Sequence, residues 1–329
     1  MVRIKTNARI GILGNPSDIY NGIVISSTIK DLFVKGEVSK AEKNLFLTNN
    51  EQNENFNNLV GSSLILLNQK GFSIENFSYK IETNIPVQGG LSGSTAIIVN
   101  LFKGLNNLFS LNLNLRTIAH YTRLVEHEII GNTAGPQDCF IDTFGGVKYM
   151  DFSSDDFRNY IIEDLDIKDI PFYIGVRSKN ISSGDIHRSP FLAYPTNSNL
   201  IKIVNKIINC ATKGKEAIIN KDLRLSGNLM NENQKLTQTY GRYGNPTETV
   251  ILQREIDQEI LNFCNINNVI GAKLGGSSGS LIILSEEKPN FLLDFILSEK
   301  LQKKMKQFDA NPSENQIFQV LKLEPAKKY

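Results

Sequence analysis

The chain has 329 residues, 40% of them hydrophobic, which is enough apolar material for two domains, each with its own core. Lysine and arginine number 36 against 34 aspartates and glutamates, so the net charge of +2 excludes bulk attraction to nucleic acid or to an anionic membrane and leaves only local sites for small anions. Cys139, Cys210 and Cys264 are too few and too widely spaced for a disulfide framework or a zinc site, and are expected to pack.

Met1–Lys5 lacks a secretory apolar core, and no segment approaches the roughly 18 apolar residues of a membrane span, so the expected setting is soluble, reducing and cytoplasmic. Arg9–Leu13 and Ile23–Ile29 read as short strands around the turn Asn15–Gly22. Asn44–Asn58 is polar and reads as a loop or an exposed helix edge, whereas Gly61–Leu67 has helical periodicity.

The next stretch, Pro86-Val87-Gln88-Gly89-Gly90-Leu91-Ser92-Gly93-Ser94-Thr95-Ala96, is a glycine- and hydroxyl-rich loop that runs straight into a helical pattern at Ile97, Ile98, Leu101, Leu105 and Leu108. A helix leaves its first N–H groups unpaired, and small residues let phosphate oxygens reach them where the dipole favours negative charge. The loop matches neither a Walker ending, nor G-x-G-x-x-G, nor G-x-S-x-G. On spacing alone, a plain turn before a core helix is an equal alternative.

Leu115–Ile130 again has helical periodicity, with Asn114 as its cap. An acidic polar stretch between Asp151 and Pro171 predicts a boundary and domains of 1–170 and 171–329. Beyond it come a strand at Phe172–Val176, helices at Leu200–Thr212, Gly214–Met230 and Thr247–Cys264, a strand at Leu281–Leu284, a helix near Phe291–Phe308 and a last element at Gln316–Leu323. Arg177, Lys179, His187 and Arg188 follow the boundary; a guanidinium such as that of Arg188 can hold a carboxylate bidentately, and a solvated charged loop is the alternative for each. No internal repeat is present.

Three separated motifs now converge. Asn7-Ala8-Arg9-Ile10-Gly11-Ile12-Leu13-Gly14-Asn15-Pro16-Ser17-Asp18, the Pro86–Ala96 loop and Gly271-Ala272-Lys273-Leu274-Gly275-Gly276-Ser277-Ser278-Gly279-Ser280 are similar, in order and separation, to the three motifs of the GHMP kinase superfamily. These are the small-molecule kinases named for galactokinase, homoserine kinase, mevalonate kinase and phosphomevalonate kinase. The resemblance runs from about residue 7 to about residue 284. Two positions depart from the pattern: Gly93 stands where many members have serine, and Ser277-Ser278 interrupt a denser glycine run. Gly14–Asp18 with Asn21-Gly22 and Ser26, together with Ala134–Asp138 and Gly145–Phe152, resembles the glucuronokinase-like branch.

The resemblance implies an α+β fold, with an N-terminal domain like ribosomal protein S5 domain 2, a C-terminal ferredoxin-like domain and ligands in the cleft between them. It implies ATP and Mg2+ as cofactors and a sugar or sugar acid as acceptor, with no nucleic acid or membrane partner, in a monomer or homodimer. Pro86, Gly89, Gly90, Leu91, Ser92, Gly93, Ser94 and Thr95 would bind the nucleotide. Asp138 matches the catalytic aspartate, though an aspartate after Gly and Pro is otherwise a turn residue. Glu126, twelve residues earlier, would hold magnesium with Ser94; the alternative is a solvated helix carboxylate. Arg9 would offset charge on the phosphoryl oxygens, or else is a surface arginine at a strand edge. Asn15, Asp18, His187 and Arg188 are the candidate substrate contacts, with an Asx turn as the other reading of Asp18. Gly275, Gly276 and Gly279 would approach the phosphate loop closely or adopt unusual dihedrals. Other branches, such as heptose-phosphate, galactose or mevalonate-type kinases, and a catalytically inactive nucleotide- or sugar-binding regulator are the rival readings.

Overall fold

Runs rich in Ile, Val and Thr on both sides of the Asn15–Gly22 turn carry strand structure well past the predicted limits. In a computed structural model, which describes residues 1–49, 51–176, 183–243, 248–277, 279–296, 298, 301 and 319–327, β1 (Val2–Leu13) pairs antiparallel with a long β2 (Ile23–Lys40). The outer end of β1 alternates between half-buried and exposed residues, as a half-covered strand must, whereas Thr6–Leu13 is buried on both faces. Register shifts between Asn7 and Arg9 and between Gly11 and Leu13 bend this buried half next to the site.

Around β2 are β3 (Leu45–Thr48), β4 (Phe77–Thr83), β5 (Val147–Asp151) and β6 (Ile161–Asp164), giving a six-stranded sheet in the order β3-β4-β2-β5-β6 with β1 also on β2. The helices α1 (Glu54–Gln69), α2 (Gly93–Phe109), α3 (Leu115–Leu124) and α4 (Gln137–Phe144) accompany it. Asn53 and Asn114 cap α1 and α3 by accepting from the amides of Phe56 and Thr117 at 3.0 and 2.9 Å. After Leu124 the chain continues through one π-helical turn, Val125–Ile129, a local irregularity that carries Glu126.

The second sheet is antiparallel, in the order β10-β7-β9-β8, from β7 (Phe172–Val176), β8 (Gly271–Leu274), β9 (Ser280–Leu284) and β10 (Gln319–Lys322). With it go α5 (Ser183–Ala193), α6 (Ser198–Ile219), α7 (Leu223–Tyr240), α8 (Glu248–Ile266) and α9 (Phe291–Ile296). The largest apolar cluster draws on both sheets, with Ile10 and Ile12 of β1 in the same core as Ile174 of β7 and Ile282 of β9. Mixed sheets with flanking helices make the fold α+β. No helix among the described residues is long and apolar enough to cross a membrane.

Several expectations need correction. The break foreseen between helices at Gly214 does not exist: α6 runs through to Ile219, and Gly214 is a packing glycine against Leu13, where a Cβ would overlap the leucine side chain. The break falls instead at Lys221, which has a positive φ of 54°, with Asp222 capping α7 through the amide of Leu225 at 2.9 Å. The Asn44–Asn58 stretch contains β3 and the first turn of α1. Asp138 sits in the first turn of α4 and is not a turn residue. Of the last two predicted elements, the structure describes a helix over Phe291–Ile296 and a strand over Gln319–Lys322; most of 297–308 and all of 316–318 lie outside the described residues, as do Arg177 and Lys179.

Candidate active site

The glycine- and hydroxyl-rich loop delivers an uncapped helix start. Ser92, the residue before α2, takes a left-handed conformation with φ of 59°, and its hydroxyl donates to the Leu91 carbonyl at 2.6 Å instead of capping the helix. The first-turn amides of α2, from Gly93 to Thr95, therefore keep their donors for an outside acceptor. An added Cβ at Gly93 would meet only Ile85 Cγ2, at 3.5 Å, so the serine common at this position would fit. The C-terminal glycine motif is the partner of this loop: a Cβ at Gly276 would overlap the Gly90 carbonyl oxygen, and the Gly275 carbonyl accepts from Gly11 N at 2.7 Å. Gly279 has φ of +87° and meets the second expectation for the motif, unusual dihedrals.

Arg9 ties these segments to α4. Its Nε and Nη2 donate to Asp138 Oδ1 and Oδ2 at 2.7 and 2.6 Å, a two-pronged pair, and its Nη1 donates to the Gly90 carbonyl at 2.6 Å. Arg9 is buried, which removes the surface-arginine reading. Burial works against its charge, yet the carboxylates of Asp138, Asp142 and Asp18 hold its pKa above the ordinary value. The side chain of Asp138 keeps 27% of its surface exposed, and it lines a cavity of about 680 Å³. That size suits a small metabolite.

Asp18 lines the same cavity, and its Oδ2 accepts from the Gln137 amide at 3.2 Å. Burial, then the charge of Asp138, pushes its pKa up to about 6. Gly135 allows this approach, since any Cβ there would overlap the Asp18 carboxylate. Asn15 and His187 line the cavity too, whereas Arg188 is exposed and does not.

Glu126 is 5% exposed, which removes the solvated-carboxylate reading. Its Oε1 accepts from Ser94 Oγ at 3.2 Å and Thr95 Oγ1 at 2.7 Å, and Cys139 Sγ lies 3.7 Å from Oε2. Burial first, and the charge of Asp138 second, pushes its pKa up to about 7. Among the described residues no three His, Cys, Asp or Glu side chains converge to hold a metal by themselves. Glu126 with the two hydroxyls is nevertheless a set of hard oxygen donors, hydrogen-bonded only by neutral groups, and this fits a magnesium ion that takes its other ligands from phosphates and water.

Residues that sequence reasoning missed complete the surroundings. From α7, Asn233 Oδ1 accepts from Gly14 N at 2.7 Å and Gln234 Oε1 accepts from Leu274 N at 2.9 Å, which fixes the Asn15–Asp18 turn and β8 to one helix. Lys273 is buried beneath the cavity, donating to Asn15 Oδ1 and the Leu274 carbonyl, both at 2.6 Å, and burial lowers its pKa to about 7. Asp142, one turn after Asp138 on α4, is fully buried and held well above the usual carboxylate range by burial and by its neighbour's charge. Arg254 of α8 lines the cavity and donates to the Gly241 carbonyl. Asn233 lies in the segment Met230–Asn233 of a helical run, but nothing local marks which of its polar residues face inward.

Residues 58–146 match the GHMP kinases N terminal domain. The chain is 28% identical over 330 residues to Glucuronokinase 1 of Arabidopsis thaliana, covering 87% of this chain and 85% of the relative, and 27% identical to Probable glucuronokinase 2 of the same plant, again over 87% and 85%. Among solved structures, the galactokinase of Lactococcus lactis complexed with galactose superposes with a TM-score of 0.71 at 17% identity, covering 98% of this chain and 93% of that one. The last likeness is one of fold.

Proposed function

We propose, from the premise that this chain carries the GHMP kinase N-terminal domain, that it is an ATP- and magnesium-dependent kinase transferring the γ-phosphoryl group to a hydroxyl of a sugar or sugar acid, with glucuronate at its anomeric hydroxyl as the specific substrate. The observation that carries the reading is the Arg9–Asp138 pair in the wall of the cavity, bonded on its other side to Gly90 of the phosphate loop. Similarity to the two plant glucuronokinases over most of both chains supports the choice of sugar acid.

Phosphoryl transfer is governed by positioning and by electrostatic stabilisation. The amides at the start of α2 cradle the nucleotide phosphates. Asp138 accepts a hydrogen bond from the attacking hydroxyl on the lone pairs that Arg9 leaves free, and so aims it along the line of attack. The Arg9 guanidinium neutralises Asp138 and offsets charge that develops on the phosphoryl oxygens. Asp18 takes a second sugar hydroxyl. Glu126, Ser94 and Thr95 would hold magnesium, which would supply positive charge against the nucleotide phosphates. We also propose two domains, 1–170 built on the first sheet and 171–329 on the second.

The test is magnesium-dependent ADP release from ATP across a panel of neutral sugars, uronic acids, heptose phosphates and mevalonate, with Asp138→Asn beside the wild type. Turnover on glucuronate that is lost in the variant supports the reading. Turnover on a different compound keeps the kinase and discards glucuronate, and silence on all of them favours a binding protein of this fold.

A further inference from the structure

The cavity that holds Asp18 and Asp138 is lined by several groups with proton-accepting oxygens and few free cations. Arg9 lines it but is already joined to Asp138, and Lys273 lies beneath it, wrapped by Asn15 and a backbone carbonyl. Arg242 at the cavity wall is an exposed side chain. Arg254 is different: it reaches the cavity from α8 half-buried, and among the described residues its only hydrogen bond goes to the Gly241 carbonyl. No described carboxylate forms an ion pair with it. Asp257 acts on it through its field and accepts from the Gln253 amide at 3.1 Å. Burial lowers the pKa of Arg254, the mark of a guanidinium whose lost hydration is not repaid by a counter-charge.

We infer that Arg254 is the specificity-determining residue that receives the carboxylate of a uronic acid substrate in this cavity. The inference rests on the glucuronate reading above and locates the acid's recognition on α8, away from the exposed Arg188. A planar guanidinium offers paired N–H donors to a carboxylate, and a neutral sugar alcohol at the same position cannot return the same interaction. Gln234 of α7 and Gln258 of α8, which line the same cavity, can satisfy ring hydroxyls around it.

The experiment compares wild type, Arg254→Gln and Arg254→Lys with glucuronate and with glucose as acceptors, and follows KM for ATP and thermal melting as controls. The expected result is a rise in KM for glucuronate of about 10- to 100-fold in R254Q, a smaller rise in R254K, a collapse of the glucuronate-to-glucose ratio of kcat/KM, and an unchanged KM for ATP. A KM for glucuronate within twofold of wild type in both variants overturns the inference and leaves the glucuronate reading standing. A fall in kcat with KM unmoved also overturns it, because Arg254 would then act on the chemistry. If R254Q does not melt cooperatively, R254K alone decides by the same KM comparison. A wild type that turns over no uronic acid overturns the glucuronate reading, and this inference with it.

Discussion

Asp138 gives the cavity a carboxylate whose two oxygens are each bound to one guanidinium. Asp138→Asn removes the charge, leaves a buried arginine unpaired and misdirects the acceptor hydroxyl. A fall in kcat of about 100- to 10,000-fold is expected, with KM for ATP little changed, in steady-state assays on the acceptor identified by the panel. The glycines divide sharply by what surrounds them. Gly93→Ser adds a side chain where the nearest atom is 3.5 Å away, so activity within about threefold of wild type is expected, close to the ±0.5 kcal/mol typical of a substitution that disturbs nothing. Gly276→Ala meets the Gly90 carbonyl oxygen and must push the phosphate loop aside, so KM for ATP should rise by about tenfold or more, the consequence of a small displacement at a positioning site. Equal KM values for these two variants would remove the close-approach account of the motif.

At the scale of elements, α7 does the joining that no motif announced. Asn233 receives the Gly14 amide and donates to the Asn15 carbonyl at 3.3 Å from a fully buried position. Asn233→Ala strands a buried donor and should cost about 1–3 kcal/mol in a denaturant melt, with a parallel loss of sugar affinity because the Asn15–Asp18 turn loosens. The glycine- and hydroxyl-rich loop and the glycine motif stand out in the sequence as local runs of unusual composition, whereas Asp138 and Glu126 are picked out only by their resemblance to a family motif and their spacing. Asn233, Gln234, Lys273 and Arg254 are not, since a polar residue on an amphipathic helix or short strand has the same local signature whether it faces water or a cavity. β4, β5 and β8 escaped because a lysine interrupts each apolar run, Lys80, Lys148 and Lys273, whereas the predicted β7 and β9 carry no charge. The misplaced helix break at Gly214 came from treating a packing glycine as punctuation.

Across the whole molecule, buried titratable groups at and near the site contribute to how stability depends on pH. Glu126 and Asp18 have folded pKa values of about 7 and about 6, above their ordinary 4.5 and 3.8, so the folded chain holds protons that the unfolded chain releases and stability falls as pH rises through about 4 to 7. Lys273 works in the opposite sense: its folded pKa of about 7 lies below the ordinary 10.5, so stability returns as pH rises beyond neutrality. These three groups should therefore leave a local dip in the melting temperature of the ligand-free protein near pH 7. Glu126→Gln should flatten the acid-side slope, and magnesium with ATP should raise the melting temperature most at and above pH 7, where the carboxylate is ionised. A melting series with no dip near neutrality would count against these burial effects. One atom described above has a wider meaning. The Gly90 carbonyl oxygen is grasped by a residue from the start of the chain and crowded by another from near its end, so the glycine-rich loop is closed by tertiary contact and is not inherited by any fragment. A chain severed between its two sheets would leave each half with motifs of the right spelling and neither half with the closed loop.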